Sequence, residues 1–431
     1  MRAMPVSTAS RAALIFSRSS YRVEAYLEAA DRLGVELVLA TDLPDAAMRF
    51  GRSAVVLDLA DPAEAASSVV SAAPLHGVIA TCEASAVVAS LSCERLGLPH
   101  HAPEGARAAH DKRRMRERLR SAGFLSPRFR VLEPNQSPES IQRFIQFPCV
   151  VKPPMLSGSQ GVIRADDPRA LAHVVERVRA LLGHHLKGID ANEAFFTLLI
   201  EDYLPGDEIA VEGIMDRGLL RVLAVFDKPD PLTGPYFEET LYVTPSRLAP
   251  ATLAHALDVT ASAARALGLV HGPIHAELRV HRNDAQILEI AARSIGGLCS
   301  RVLKFSVGSL EDHLVAHAVG LELPAIATHA SARASGVMMM PIPRSGILRA
   351  VHGVEAARRV ARISEVLVSV ALGQTIRTLP EGSTYLGFIF ARGETAEEVE
   401  QALRDSFAAL RFEVSPLLPI AVSSGSRSEL D

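Results

Sequence analysis

The chain is expected to be an α/β protein that opens with a doubly wound parallel sheet, and three observations point there. Short apolar runs alternate with longer amphipathic ones from the start, the pattern of strands joined by crossover helices. Hydrophobic residues at 48% and charged residues at 22% of 431 positions match an ordinary globular composition. No apolar run reaches the roughly 18 residues of a membrane span. At about 100–200 residues per domain the length allows two to four folded units.

In order, Ala12–Phe16, Val35–Leu39, Ala54–Leu57 and Val78–Ala80 are expected strands, with helices over Arg22–Leu33, Pro62–Ser71 and Ala84–Leu96 between and after them. The turn after the first strand, Ser17-Arg18-Ser19-Ser20, lacks the Gly-x-Gly-x-x-Gly that lets a backbone approach a dinucleotide pyrophosphate, so a nucleotide should bind elsewhere. A cationic helical segment, His110–Arg120, follows, with six Lys and Arg side chains expected on a solvated face. From Phe129 the rhythm changes to short strands (Phe129–Leu132, Cys149–Lys152, Val162–Arg164, Phe196–Ile200) around a helix at Pro168–Leu182, the mark of a compact α+β unit. Strands are then expected at Ile209–Met215, Leu219–Phe226 and Leu241–Thr244, and a helix at Thr252–Leu267. A third unit should begin after about 325, where Ala325–Ser335 is rich in Ala, Ser and Thr, and end in the helical Glu397–Leu410.

The formal net charge of -4 supplies no basic field for nucleic acid or an anionic membrane surface. Four dispersed cysteines form neither a zinc-ligand spacing nor a disulfide framework, which fits a reducing cytoplasm. Ala12–Phe16 is too short for a signal-peptide core, so the sequence is expected to be untargeted.

The segment Gly272–Arg293 carries the most chemistry. Ile274, Ala276, Leu278 and Val280 alternate on one face of the arm before Asn283-Asp284, and Leu288, Ile290 and Ala292 on one face of the arm after it. Aligning the apolar faces predicts a three-residue loop, Arg282-Asn283-Asp284, pairing Leu278 with Leu288 and Ala276 with Ile290. Glu277 then sits opposite Glu289, at a Cβ separation of about 4.5–5.5 Å where like charges repel unless a cation lies between them. Arg293 falls on the same face, where it could bind a phosphate or an oxyanion. An exposed hairpin with its acids in water is the competing account. Upstream, Lys152 precedes Ser157-Gly158-Ser159-Gln160-Gly161, whose small residues permit a phosphate-covering loop or an ordinary hairpin turn. It is no Walker loop, because the lysine comes before the glycines.

Together these pieces resemble the ATP-grasp superfamily over most of the chain. Asp111-Lys112-Arg113-Arg114 is similar to the family's entry segment, making Lys112 a phosphate-contacting lysine. Lys152 resembles the second nucleotide lysine, and Ser157, Gly158, Ser159 and Gly161 the lid loop. Glu201-Asp202-Tyr203-Leu204-Pro205-Gly206-Asp207-Glu208 resembles the hinge, so Glu201 and Leu204 would hold adenine and Glu208 the ribose. Glu277 and Glu289 match the magnesium-ligating carboxylates and Arg293 the active-site arginine. Ala291 stands where many members carry an asparagine ligand, leaving the second metal one ligand short. With Gly296-Gly297, this is similar to the carboxylate–amine ligase branch that includes bacterial L-amino acid ligases.

The resemblance implies an N-terminal pre-ATP-grasp domain over 1–105, an ATP-grasp domain over 106–325 with an α+β lid at about 126–203, and a C-terminal α+β domain over 326–431. It implies ATP-dependent amide formation, as between amino acids, through an acyl phosphate with release of ADP and phosphate. ATP and two Mg²⁺ ions are expected, with Mn²⁺ as the substitute metal. The partners are small carboxylates and amines, with no nucleic acid or membrane; a homodimer is admitted but not required. An ATP-grasp carboxylase, a formate-dependent ligase of purine metabolism and a non-catalytic nucleotide-binding protein are the rival readings. Substrate contacts are expected from His275, Gly296, Gly297 and Glu83, with Cys82 and Ser85 beside Glu83 at a strand end where doubly wound folds present ligand loops. Arg301, Lys304 and His313 carry no assigned role.

Overall fold

The computed structural model describes residues 10–18, 20–185, 193–303, 305, 307–323 and 333–417. Lys304 and the division expected near 325 lie outside the described residues. Strands β1 (Arg11–Phe16), β2 (Glu36–Thr41), β3 (Ala54–Val56) and β4 (Gly77–Ala80) form a parallel sheet in the order β3-β2-β1-β4. The crossovers are α1 (Val23–Leu33), a short α2 (Ala46–Phe50) that the apolar pattern does not signal, and α3 (Pro62–Val70); α4 (Glu83–Leu96) follows β4. Both faces of β1 are buried, Ala13 and Ile15 against α3 and α4, and Ala12, Leu14 and Phe16 against α1 and the distant segment Leu310–Ala318. That double burial explains an apolar run without alternation.

The cationic stretch His110–Arg120 is not one helix. Helix α5 (Pro103–His110) stops at Asp111, whose carboxylate accepts from the N–H groups of Arg113 and Arg114 and so starts α6 (Lys112–Ser121). Nor is its charge all solvated, because Lys112 and Arg116 are buried. A four-stranded antiparallel sheet follows, β5 (Phe129–Leu132), β6 (Cys149–Lys152), β7 (Ile163–Ala165) and β8 (Leu198–Asp202), in the order β5-β8-β6-β7. Leu171, Val175 and Val178 of α7 (Pro168–His185) close its core.

The central sheet has eight strands: β9 (Asp207–Asp216), β10 (Leu219–Lys228), β11 (Leu241–Thr244), β12 (Gly272–His281), β13 (Asp284–Ala291), β14 (Ala334–Met340), β16 (Ile363–Val368) and β18 (Gly387–Gly393). Its order is β13-β12-β9-β10-β11-β14-β18-β16, antiparallel throughout. The C-terminal segment therefore extends the central sheet, and it adds a small sheet of β15 (Gly346–His352), β17 (Thr375–Ile376) and β19 (Arg411–Ser415). Helix α8 (Pro250–Leu267) covers β12 and β13, α9 (Leu310–Ala318) packs on α1, and α10 (Val354–Arg358) and α11 (Ala396–Ala408) cover the C-terminal strands. Among the described residues no helix is long and apolar enough to cross a membrane.

The β12–β13 hairpin corrects the expected register while keeping its consequence. The turn has two residues, Arg282 and Asn283, both with positive φ (48° and 67°), and His281 pairs with Asp284. Leu278 pairs with Ile287, not Leu288. A bulge at Leu288 then restores the parity, so that Glu277 faces Glu289 and Ala276 faces Ile290. The freed Leu288 carbonyl accepts from Arg116 Nη2 at 2.6 Å. The signal lay in the second arm, where Ala285 and Ile287 alternate, and Ile290 and Ala292 alternate one residue out of step.

Gly206 joins β8 to β9 at φ +114°, and a Cβ there would lie 2.3 Å from the Val280 carbonyl oxygen. Gly206→Ala is expected to destabilise the fold by about 1–3 kcal/mol through backbone strain and a clash at the hinge. Denaturant unfolding measures this, and an unchanged midpoint would contradict it.

Candidate active site

One cavity of about 680 Å³ lies where the small antiparallel sheet, the central sheet and the N-terminal sheet meet. Its floor is one face of β9 and β12, on which alternation places Glu208 and Glu212 beside His275, Glu277 and Arg279. Five charged or titratable groups on adjacent central strands must be compensated, because an isolated buried charge costs far more than an exposed one.

Lys228 supplies much of that compensation. It ends β10 directly opposite Glu208, and its Nζ lies 2.6 Å from Glu208, 2.9 Å from Glu239 and 2.7 Å from Glu277. Arg279 Nε holds the second oxygen of Glu208 at 3.1 Å. Burial alone would depress the Lys228 pKa, but the three carboxylates hold it well above its ordinary value. Glu239 also accepts from the Tyr242 hydroxyl at 2.7 Å. Burial, then the neighbouring charge of Glu277, pushes Glu239 up to about 7. Oxygens of Glu208, Glu239 and Glu277 lie within 4.8 Å of one another, a set able to hold a hard cation. Lys228 and Glu239 were not among the expected site residues. Their only sequence signal is ionic side chains beside the apolar strands β10 and β11.

On the other arm of the hairpin Glu289 meets Lys112 Nζ at 3.2 Å, and the same Nζ donates to the Leu156 carbonyl at 2.8 Å. The Lys112 N–H donates to the Pro154 carbonyl at 3.1 Å, which fastens the start of α6 to the glycine-rich loop. Arg293 lines the same cavity and donates from Nε to Glu83 at 3.0 Å. Burial opposes ionisation of Glu83, yet Arg293 holds it at about 2. Glu83 therefore reaches the cavity as the partner that orients Arg293. Ser85 beside it is structural, its hydroxyl accepting from the Cys82 N–H at 2.9 Å at the start of α4.

Lys152 Nζ lies 2.7 Å from Glu201, which also binds Arg116 Nε at 2.6 Å. Arg116 is 1% and Glu201 2% exposed, so this pair is a buried brace between α6 and β8. Burial raises the Glu201 pKa, but Arg116 and Lys152 outweigh it and hold it at about 2. Ser157, Gly158, Ser159 and Leu204 reach the cavity wall. Gly161 does not. At φ +70° its N–H donates to the Pro380 carbonyl at 3.2 Å, and a Cβ would lie 2.8 Å from Pro153, so this glycine serves packing.

His275 sits between Glu212 at 3.3 Å and Glu277 at 3.5 Å. Burial lowers its pKa, but hydrogen bonds to the two acids prevail and raise it to about 9. Gly296 and Gly297 line the cavity, and the Gly297 N–H donates to the Tyr21 hydroxyl at 2.6 Å. Of the unassigned residues, Arg301 pairs with Glu365 at the surface, and His313 is buried with Nδ1 2.8 Å from the Ser309 carbonyl.

Sequence models of known families match in three places: an ATP-grasp N-terminal domain at 27–100, an ATP-grasp domain at 145–302 and the L-amino acid ligase C-terminal domain 2 at 338–415. The chain is 29% identical over 221 residues to alanine–anticapsin ligase of Bacillus subtilis, covering 48% of this chain and 45% of that protein. The chain thus spans about half the length of that relative. Protein y4rH of Sinorhizobium fredii is 23% identical over 79% of this chain and 69% of its own. The L-amino acid ligase structure from Bacillus licheniformis superimposes with a TM-score of 0.78 at 24% identity, covering 94% of this chain and 99% of that one. N5-carboxyaminoimidazole ribonucleotide synthetase from Thermotoga maritima gives 0.68 at 14% identity over 94% and 100%. Both likenesses establish the fold.

Replacing Arg116 with Met strands the Glu201 carboxylate with one cation and is expected to cost about 3–5 kcal/mol in unfolding free energy. Because the Glu201 pKa is lowered from 4.5 to about 2, its stabilisation is present above about pH 4.5 and is lost as pH falls through 2. Glu201→Gln should flatten stability over that window, read by urea melts at several acid pH values; a slope equal to wild type would rule the assignment out.

Proposed function

The chain belongs to the ATP-grasp superfamily of ligases, and from that premise we propose that it joins a carboxylate to an amine, forming an amide between amino acids. What carries this reading is the facing pair Glu277 and Glu289, each already on a lysine, with Arg293 in the same cavity. The L-amino acid ligase match at 338–415 and Ala291 at the position where many members carry asparagine favour this branch over carboxylases. The likeness to purine-pathway synthetases is one of fold.

In the proposed reaction the substrate carboxylate attacks the γ-phosphorus of ATP and ADP leaves. The amine, having lost a proton, then attacks the acyl carbon, and phosphate leaves with the bonding pair. Lys112, Lys152 and the Ser157–Ser159 loop would hold the triphosphate, with Glu201 aiming Lys152 and the hinge backbone near Leu204 receiving adenine. Glu208, clasped by Lys228 and Arg279, would present its edge to the ribose. Glu277 and Glu289 fit a hard divalent cation, being oxygen donors that already attract ammonium groups. Two Mg²⁺ ions, or Mn²⁺ in their place, would neutralise charge on the phosphates. Arg293, oriented by Glu83, would stabilise the oxyanion at the acyl carbon. Beyond Glu239 the cavity wall includes Tyr21, Leu298, Met339, Leu367, Tyr385 and Phe388. Such a surface suits an amino acid with an aliphatic or aromatic side chain.

An ADP-release matrix of amino-acid pairs, with mass spectrometry of the products, tests the proposal, and absence of amine-dependent ADP with every pair would refute it. Glu289→Ala is expected to lower amine-dependent ADP release at least about 100-fold at saturating Mg²⁺; near-normal turnover would remove Glu289 from the mechanism. Lys152→Ala should weaken ATP binding at least about tenfold by calorimetry, the scale of one lost charge-assisted contact, and an unchanged affinity would count against its role.

A further inference from the structure

At the other end of β9 and β12, away from the phosphate-binding residues, a second cluster has no part in the ligase chemistry. Asp216 is the last residue of β9, His271 immediately precedes β12, and His317 is on the last turn of α9. The two imidazoles stack with centroids 4.2 Å apart and planes at 29°. Asp216 Oδ1 lies 3.4 Å from His271 Nδ1 and 4.0 Å from His317 Nε2. One oxygen and two nitrogens thus fall within 4.8 Å of one another.

Among the described residues His317 Nε2 is buried without a hydrogen-bond partner, its side chain only 7% exposed, and the buried His271 Nδ1 has only the long 3.4 Å contact to Asp216. A buried imidazole nitrogen normally finds a donor, an acceptor or a metal. Here two under-satisfied nitrogens converge on one carboxylate that is itself 53% exposed, leaving an approach from solvent. His101 stands behind them. Its Nδ1 accepts from the His271 N–H at 3.3 Å and its Nε2 donates to the Pro273 carbonyl at 3.0 Å, so it fixes the backbone that carries His271. Gly272 has no side chain there because a Cβ would lie 2.9 Å from the His101 ring.

We propose that Asp216, His271 and His317 form a binding site for a zinc-class transition-metal ion that clamps α9 to the β9–β12 end of the central sheet. Two imidazoles and one carboxylate are the donors of zinc and cobalt, with a water in the fourth position, whereas the all-oxygen set of Glu277 and Glu289 suits magnesium. Tetrahedral zinc bonds of about 2.0–2.2 Å place donors about 3.3–3.5 Å apart, so the Asp216–His271 spacing of 3.4 Å already fits and the Asp216–His317 spacing of 4.0 Å must close by about half an ångström. Arg217 and Arg221 stand near enough to oppose a cation, so the two nitrogen donors, not net charge, must supply the affinity. Because α9 packs on α1 while β9 and β12 carry the catalytic floor, the ion would tie the N-terminal sheet to the central one.

The test is titration of the full chain with Co²⁺ in excess Mg²⁺, followed by visible absorption, with Zn²⁺ displacement and thermal melting alongside. One Co²⁺ per chain is expected, displaced by Zn²⁺, with Zn²⁺ raising the melting temperature. His317→Gln and Asp216→Asn should each weaken Co²⁺ binding at least tenfold and abolish the Zn²⁺-dependent melting shift. Asp216, being exposed, keeps the test decisive if His317→Gln fails to fold. Glu289→Gln should leave the cobalt spectrum intact. The proposal is overturned if wild type gives no saturable cobalt signal, if Asp216→Asn binds like wild type, or if Glu289→Gln removes the signal. Each of these outcomes leaves the ligase assignment standing.

Discussion

The structure is organised around buried carboxylates that cannot ionise together without cations among them. Glu208, Glu239 and Glu277 share the single ammonium of Lys228, Glu201 shares Arg116 and Lys152, and Glu83 holds Arg293. Each acid would be costly in isolation, and of the cations Lys152 and Arg293 line the cavity, where a polyphosphate could draw on them. A buried ion pair is weak as a source of stability but strong as a constraint on geometry, since losing either member strands the other. The catalytic proposal depends on that geometry more than on any one side chain.

The cations come from separate parts of the chain, and this explains why so many elements meet at one cavity. Arg116 and Lys112 arrive on α6, Lys152 at the end of β6 in the small antiparallel sheet, Lys228 on β10 and Arg293 just beyond β13. The strand order brings β10 and β12 to either side of β9, so Glu208 is flanked by Lys228 and Arg279 in direct cross-strand register. Cross-strand neighbours of opposite charge stabilise one another, and here the sheet itself performs the pairing. The hairpin bulge adds to the same end, because it both keeps Glu277 facing Glu289 and releases the Leu288 carbonyl to Arg116.

The glycine-rich loop illustrates how one motif divides its labour. Ser157, Gly158 and Ser159 line the cavity, while Gly161 and Gln160 bond to the carbonyls of Pro380 and Glu381. The loop is therefore tied to the C-terminal segment that also supplies the apolar wall at Tyr385 and Phe388. In the proposed reaction this tie would link closing over nucleotide to enclosing the second substrate, as enclosure of a hydrolysable intermediate would require.

Alternation and composition alone determined the parallel N-terminal sheet, the hairpin and the facing of Glu277 with Glu289, whereas the two-residue turn and the bulge at Leu288 that restores this facing were decided by the tertiary structure. The family resemblance brought out Lys112, Lys152 and Arg293 as expected phosphate- or oxyanion-binding cations and Glu201 as an expected adenine contact. Only the tertiary structure decided what those groups touch. Arg116 meets Glu201 across 85 residues and Lys228 meets Glu277 across 49, and no local periodicity encodes which strand will lie beside which. The same holds for Asp216, His271 and His317, three unremarkable residues in the chain that become neighbours only because α9 returns to the end of β9 and β12. Local pattern follows from the backbone's fixed periods, whereas the pairing of distant charges follows from packing, which the whole chain decides at once.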